Sequence, residues 1–186
     1  ALELVKEFQE PTAVFIKHNN PCGVASSENL EDAFIKGYKV DPMSAFGCII
    51  AVNREVTDAV VDHMKVEKMF VEMIIAPSYS ETALKRLKTR KNLRILLTGE
   101  LKLDMLKTDI KKVAGGILIQ TKDTYDLKPE DLKVVTEKAP SDEEIKSMIF
   151  ATKVCKHVMS NAVVMAKESE VIAVGAGQMS RVDSVK

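Results

Sequence analysis

Short apolar runs rich in β-branched residues alternate with stretches of helical spacing along this chain, and that alternation leaves few folds open. The run "TAVFIKH" (12 to 18) is bounded by Pro11 and by Asn20-Pro21 and reads as a fully buried strand. "NLEDAFIKGYKV" (29 to 40) follows with the periodicity of a helix. "AFGCIIAVN" (45 to 53) predicts a second buried strand, and a helix is expected from about Thr57 to Lys68, with Thr57 as its cap and Val60, Val61 and Met64 on one face. "VEMIIAP" (71 to 77) is a third strand, "SETALKRLKTR" (80 to 90) a capped helix and "NLRILLTG" (92 to 99) a fourth strand. "KVAGGILIQTKD" (112 to 123) reads as a fifth, with a Gly115-Gly116 bulge or close approach in its middle. The pattern predicts an α/β layer fold whose sheet is largely parallel or mixed, with helices on its faces.

Residues 123 to 140 are rich in Lys, Asp and Glu and hold two prolines, so they are expected to form a linker or exposed excursion between 1–122 and 141–186. Beyond it, Ser141 with Glu144 three residues on makes a capping box for a helix to about His157. "NAVVMAKESEVIAVGAG" (161 to 177) then reads as strand, turn, strand. The amino end, "ALELVKEFQEP", resembles the tail of an amphipathic helix with Leu2, Val5 and Phe8 on one face, and the chain is expected to be a piece of a longer one.

The 186 residues are 46% apolar, enough for an ordinary core, and 27 basic residues balance 27 acidic ones. No overall field would recruit nucleic acid or an anionic membrane, so an anion must be caught locally. No run approaches the roughly 20 apolar residues of a membrane span, and acids stand at the amino end where a signal peptide carries bases. Three widely spaced cysteines, Cys22, Cys48 and Cys155, suit a reducing cytoplasm and free thiols.

Chemistry is suggested first by Lys17-His18. Adjacent side chains on a regular strand face opposite ways, but at a strand's carboxyl end, where Asn20-Pro21 is expected to turn the chain, that rule lapses. The carboxyl ends of strands are also where open α/β sheets place ligands. An imidazole can take a proton near neutral pH and a neighbouring ammonium can hold a developing oxyanion. From spacing alone, a surface Lys beside a capping His is equally open. A zinc deaminase would need a Glu two residues after the His and a Pro-Cys-x-x-Cys; here Asn20 and Ala25 stand at those places, so the loop offers too few ligands for catalytic zinc.

"DPMSAFG" (41 to 47) could bring a planar ligand or a phosphate against backbone, although taken alone a loop tightened for packing accounts for it better. "VGAGQMSR" (174 to 181) lacks the third glycine of the dinucleotide fingerprint, but its glycines and Arg181 suit an anion. Met43, Met159, Met165 and Met179 are expected as core filler, and His63 and His157 as solvated or packed helix residues.

Together "KHNNPCGVA", "DPMSAFGCIIAVNREV", "EMIIAP", "KNLRIL", "AGGILIQTKD", "SNAVVMAK" and "GAGQMSRVDSVK", in this order, resemble the 5-aminoimidazole-4-carboxamide ribonucleotide (AICAR) formyltransferase family of purine biosynthesis. The resemblance covers nearly the whole chain. It implies formyl transfer from the cosubstrate 10-formyltetrahydrofolate to the 5-amino group of AICAR, with His18 as general base and Lys17 stabilising the oxyanion. It places substrate contacts on Gly47, Glu72, Asn161 and Arg181, with Met43 and Phe46 lining the same pocket, and a folate contact on Val182. Glu72 stands where some members have Asp.

The same resemblance implies cytidine-deaminase-like layered subdomains, 1–122 forming the first and 141–186 beginning or bridging to a second. It further implies a homodimer that shares its sites, no zinc, and potassium as a candidate accompanying cation. The family's early "RYG-NPHQ" segment, its cyclohydrolase domain and its downstream contacts have no counterpart in these residues, so a partial domain is expected. The alternatives are a non-catalytic nucleotide-binding module or a zinc-free relative of the deaminase fold.

Overall fold

The computed structural model describes residues 1–101 and 108–186. A short helix α1 (Leu2–Val5) leads into strand β1 (Thr12–Lys17), which is buried along nearly its whole length. Ala13 and Phe15 enter one core and Val14 and Ile16 the other, so both faces of the strand are covered and the run shows no polar alternation. At the amino end Leu4, Val5 and Phe8 are the buried residues, and Leu2 only packs against them.

The chain does not leave the sheet at Asn20-Pro21. It reverses through His18-Asn19 into β2 (Asn20–Ser26), antiparallel to β1, with Lys17 opposite Asn20. Two features hide this strand in the sequence. Gly23 lacks a side chain, and Pro21 sits where the register slips between Phe15 and Ile16, a bulge that tolerates a residue without an N–H.

Helix α2 (Leu30–Val40) follows, capped by Asn29, whose Oδ1 accepts from the Asp32 amide at 2.9 Å. Then come β3 (Cys48–Val52), α3 (Asp58–Val66), β4 (Val71–Ala76), α4 (Glu81–Lys88) and β5 (Arg94–Leu97). Strands β3, β4 and β5 pair in parallel through helical crossovers. Thr57 stands at the amino end of α3, but its side chain makes no cap hydrogen bond, whereas Ser80 Oγ accepts from the Ala83 amide at 3.2 Å to cap α4.

Residues 112–123 are not one bulged strand. β6 (Thr108–Val113) and β7 (Gly116–Thr121) form a separate antiparallel hairpin, turned at Ala114-Gly115 with Val113 opposite Gly116. Gly115 supplies the positive φ of 79° that such a turn needs. Residues 123–140 run exposed, with one 3₁₀ turn at Pro129–Asp131. Helix α5 (Asp142–Cys155) opens with the full capping box: Ser141 Oγ accepts from the Glu144 amide at 3.2 Å and Glu144 accepts from the Ser141 amide at 2.7 Å. Strands β8 (Val163–Lys167) and β9 (Glu170–Gly175) form a hairpin, and α6 (Arg181–Val185) ends the chain.

Among the described residues the main sheet has seven strands in the order β5-β4-β3-β1-β2-β9-β8, so strands from both ends of the chain share it. Helices α2, α3 and α4 cover one face, where Phe34, Val60, Met64 and Leu87 pack on Phe15, Ile50 and Ile74. On the other face Leu4, Phe8, Phe150 and Val154 pack on Val14, Val24 and Ile75. Each fully buried side chain of this size contributes about 2 kcal/mol. The result is a three-layer α/β fold with a mixed sheet.

Candidate functional site

The strand registers bring one end of the sheet together. Ile16 pairs with Ile49, so Lys17 is level with the start of β3; Cys48 pairs with Val71, and Met73 with Arg94. On the other side β9 runs antiparallel to β2 and β8 to β9, so Gly175 and Val163 arrive at the same end. Lys17, His18, Met43, Phe46, Gly47, Glu72 and Asn161 therefore stand on loops and strand ends along one margin of the sheet, with Arg181 and Val182 on the first turn of α6. That margin is the carboxyl end of β1 and β9 but the amino end of β2, β3, β4, β5 and β8, because β1 is antiparallel to its neighbours. The general rule of ligands beyond strand carboxyl ends describes only part of it.

His18 and Asn19 have φ of 50° and 67°, the paired positive values of a tight two-residue hairpin turn. The imidazole is exposed at the tip, with no hydrogen-bond partner among the described residues. Lys17, one residue back, is still on the strand and shares the face of Phe15. Its Nζ donates to the carbonyls of Phe46 and, at 3.2 Å, of Gly47. An ammonium carries three donors, so one remains for a ligand.

The 41–47 loop is built to receive that lysine. Asp41 Oδ1 accepts from the Ser44 amide at 2.9 Å, and Gly47 donates its amide to Phe70 at 2.8 Å. Gly47 has φ of 70°, and a Cβ there would lie 3.0 Å from Lys17 Nζ, so glycine serves both the turn and the approach of the cation. Phe46 packs on Phe70 with ring centroids 5.1 Å apart yet remains 66% exposed. Met43 is 88% and Met179 99% exposed, and Met159 and Met165 are also exposed, so the expectation of four core methionines fails. Loop backbone, not volume, sets these positions.

On the β8–β9 side, Asn161 organises the loop that carries Arg181. Its Nδ2 donates to Gln178 at 2.9 Å and Met179 at 3.2 Å, and its carbonyl accepts from Ser184 Oγ at 2.9 Å. Gly175 lets α6 close on β9, since a Cβ there would stand 1.8 Å from the Ser184 carbonyl oxygen. Arg181 is exposed and has no hydrogen-bond or ion-pair partner among the described residues, and Val182 beside it is exposed too. Glu72 is less free: Arg94, the neighbouring strand's first residue, donates to its Oε2 at 2.6 Å.

Between these two groups the sheet splits. β2 and β9 pair only at Ala25 and Glu170, with Ser26 donating to the Ser169 carbonyl at 2.8 Å, and above that they diverge. A cleft of about 380 Å³ opens there, lined by Lys17, Asn20, Cys22, Asp41, Ser44 and Ile172 among others. Larger cavities of about 470 Å³, by Glu7 and His157, and 790 Å³, by Met148 and Met165, contain none of the predicted site residues. The smaller cleft is the candidate because convergent polar groups meet there. Asn20, Asp41, Ser44 and Arg94 were not singled out from the sequence. Only the Asp-Pro turn at 41 left a local sign of one of them.

Cys22 lines the cleft without nucleophilic character. Its thiol donates to the Phe15 carbonyl at 3.4 Å, and burial, reinforced by the Asp41 charge, pushes it up to about 11. Burial likewise raises Cys48 to about 12. Among the described residues, no three His, Cys, Asp or Glu lie placed to hold a metal ion, and no helix is long and apolar enough to cross a membrane.

The whole chain, residues 1–186, matches the model of the family described as AICARFT/IMPCHase bienzyme. It is 49% identical over 188 residues to the "Bifunctional purine biosynthesis protein PurH" of Acetivibrio thermocellus, covering 100% of this chain and 36% of that protein. The protein of the same name in Caldicellulosiruptor saccharolyticus is 49% identical over 186 residues, with the same coverage. That of Thermoanaerobacter sp. is 48% identical over 183 residues, covering 98% of this chain and 35% of the relative. The chain thus spans about a third of the length of the curated relatives it matches.

Proposed function

The chain belongs to the AICARFT/IMPCHase bienzyme family, and from that premise we propose that its sheet margin is part of the site for formyl transfer from 10-formyltetrahydrofolate to the 5-amino group of AICAR. The observation that carries this reading is the Lys17 ammonium, held by the carbonyls of Phe46 and Gly47, with the exposed His18 the next residue at the hairpin tip.

In this reading His18 takes a proton as the AICAR amine attacks the formyl carbon, compensating for a poor nucleophile. The remaining N–H of Lys17 stabilises the oxyanion as the carbonyl becomes tetrahedral. The carbon–nitrogen bond to the folate N10 then breaks, and His18 returns the proton to that nitrogen. Arg181, which has no side-chain partner among the described residues, takes the nucleotide's phosphate as a bidentate anion contact. Gly47 and the Asn161 loop supply backbone contacts, Met43 and the exposed ring of Phe46 cover the planar base, and Val182 faces the folate. Glu72 accepts from the ligand while Arg94 steadies it. The part of the relatives that this chain does not span completes the site in a cytoplasmic homodimer, with 141–186 bridging to a second subdomain.

The test is His18→Ala in the full-length protein. Turnover is expected to fall by about 10²- to 10⁴-fold, the range of general acid–base catalysis, with AICAR binding by calorimetry retained. Unchanged turnover would overturn the assignment of the base. Binding of AICAR without any formyl transfer in the wild-type protein would favour a nucleotide-binding module instead.

A further inference from the structure

We infer that Asn20 is a positioning residue for this site, tying the Lys17–His18 hairpin across the mouth of the cleft to the loop that carries Arg181. The inference rests on the formyltransferase reading above and adds a residue which that reading does not use.

The two halves of the margin belong to parts of the sheet that separate. Below the cleft β2 and β9 are joined at Ala25–Glu170 and Ser26–Ser169. At the margin itself, one hydrogen bond among the described residues crosses from the hairpin: Asn20 Oδ1 accepts from the Met159 amide at 3.0 Å. Asn20 is itself fixed, because its backbone pairs with Lys17 as the first residue of β2.

Met159 passes the connection on. Its carbonyl accepts from the Gly177 amide at 2.7 Å, and two residues later Asn161 exchanges backbone hydrogen bonds with Gln178 at 3.0 and 3.4 Å. The Asn161 side chain adds the bonds to Gln178 and Met179, and Ser184 closes α6 onto the Asn161 carbonyl. A continuous hydrogen-bonded path therefore runs from Asn20 through residues 159, 161 and 177–179 to the helix that starts at Arg181. At this end of the sheet no other hydrogen bond among the described residues joins the hairpin to the segment before Arg181, so this path is what sets the distance of Arg181 from Lys17 there. Displacing a phosphate clamp by about an ångström weakens ground-state binding more than the chemical step when the base and oxyanion cation stay together on the hairpin.

The experiment compares Asn20→Ala and Asn20→Asp in the full-length protein. Asn20→Ala removes the acceptor and is expected to raise the KM for AICAR about tenfold, with kcat changed less than twofold and the KM for 10-formyltetrahydrofolate unmoved. Amide exchange at Met159 should accelerate at least tenfold. Asn20→Asp keeps an acceptor oxygen in place and should restore both the Met159 protection and most of the AICAR KM. An unchanged KM in Asn20→Ala overturns the inference even if Met159 exchange accelerates. So does an Asn20→Asp variant that behaves like Asn20→Ala, or a loss confined to kcat. If the wild-type full-length protein transfers no formyl group to AICAR, the underlying reading fails and this inference with it. Wild-type turnover with an unaffected Asn20→Ala variant sinks the positioning role alone.

Discussion

Cys22 and Lys17 line one cleft yet differ in what their surroundings allow. Burial, with the Asp41 charge beside it, raises the Cys22 thiol from an ordinary 9.0 to about 11. At any pH below 9 its thiolate is about a hundredfold scarcer than that of an ordinary cysteine, and reactivity follows the thiolate. Alkylation by iodoacetamide at pH 8 is therefore expected to be about a hundredfold slower at Cys22 than at a cysteine in a model peptide, as read by mass spectrometry of the peptide that contains it. A rate equal to the model peptide's would show that the thiol is not held as described. Lys17 and His18 were legible because two chemically distinct residues end an apolar run. Asn20 was not, because its partner Met159 lies far along the chain and nothing in "NNPCG" records the encounter.

Elements show the same division. Strands with both faces buried, such as β1, β3 and β4, announce themselves as unbroken apolar runs. β2 was missed because a proline at a bulge and a glycine interrupt its pattern, and β6 because charged residues dominate an exposed hairpin that borders no core. The small helix α6 is placed by contacts that no local pattern reveals, the approach of Ser184 to Gly175 and the Ser184 hydroxyl's hydrogen bond to the Asn161 carbonyl. Gly175→Ala would force its methyl into the Ser184 carbonyl, a clash of about 1–3 kcal/mol that a five-residue helix relieves by undocking. If Arg181 holds the phosphate as proposed, AICAR affinity of the full-length protein should then fall on the order of tenfold or more, while the thermal midpoint shifts by only a few degrees. Calorimetry with AICAR beside a melting curve would separate these effects; a large drop in melting temperature with intact affinity would contradict the local undocking.

At the scale of the whole molecule, the amino-terminal segment is fastened to α5 through Glu7. Its carboxylate accepts from His157 Nε2 at 2.8 Å and Lys156 Nζ at 2.9 Å, and its backbone carbonyl accepts from Lys153 at 3.1 Å. Burial works to raise the Glu7 carboxyl, but the hydrogen bonds and charges of His157 and Lys156 outweigh it and leave the group below its ordinary value. The unfolded chain therefore takes up the proton first as pH falls. The stability this cluster contributes is present above the unfolded value, about 4.3, and is lost as pH drops through the lower folded one. Glu7→Gln should melt roughly 2–6 °C below wild type at pH 7, and the gap should narrow below about pH 4.5. A gap constant between pH 3.5 and 7 would contradict this account.

The pairing of β2 with β9 carries a consequence for the order of folding. Ala25 and Glu170 stand near opposite ends of the chain, whereas β1 to β5 can associate through nearby residues. Closing the longer loop costs more entropy, so β9 is expected to dock late, leaving the β2 edge open until then. The cleft between those two strands forms only when β9 docks. A ligand that spans it would bind only chains whose sheet is finished, and would thereby favour the native state by mass action.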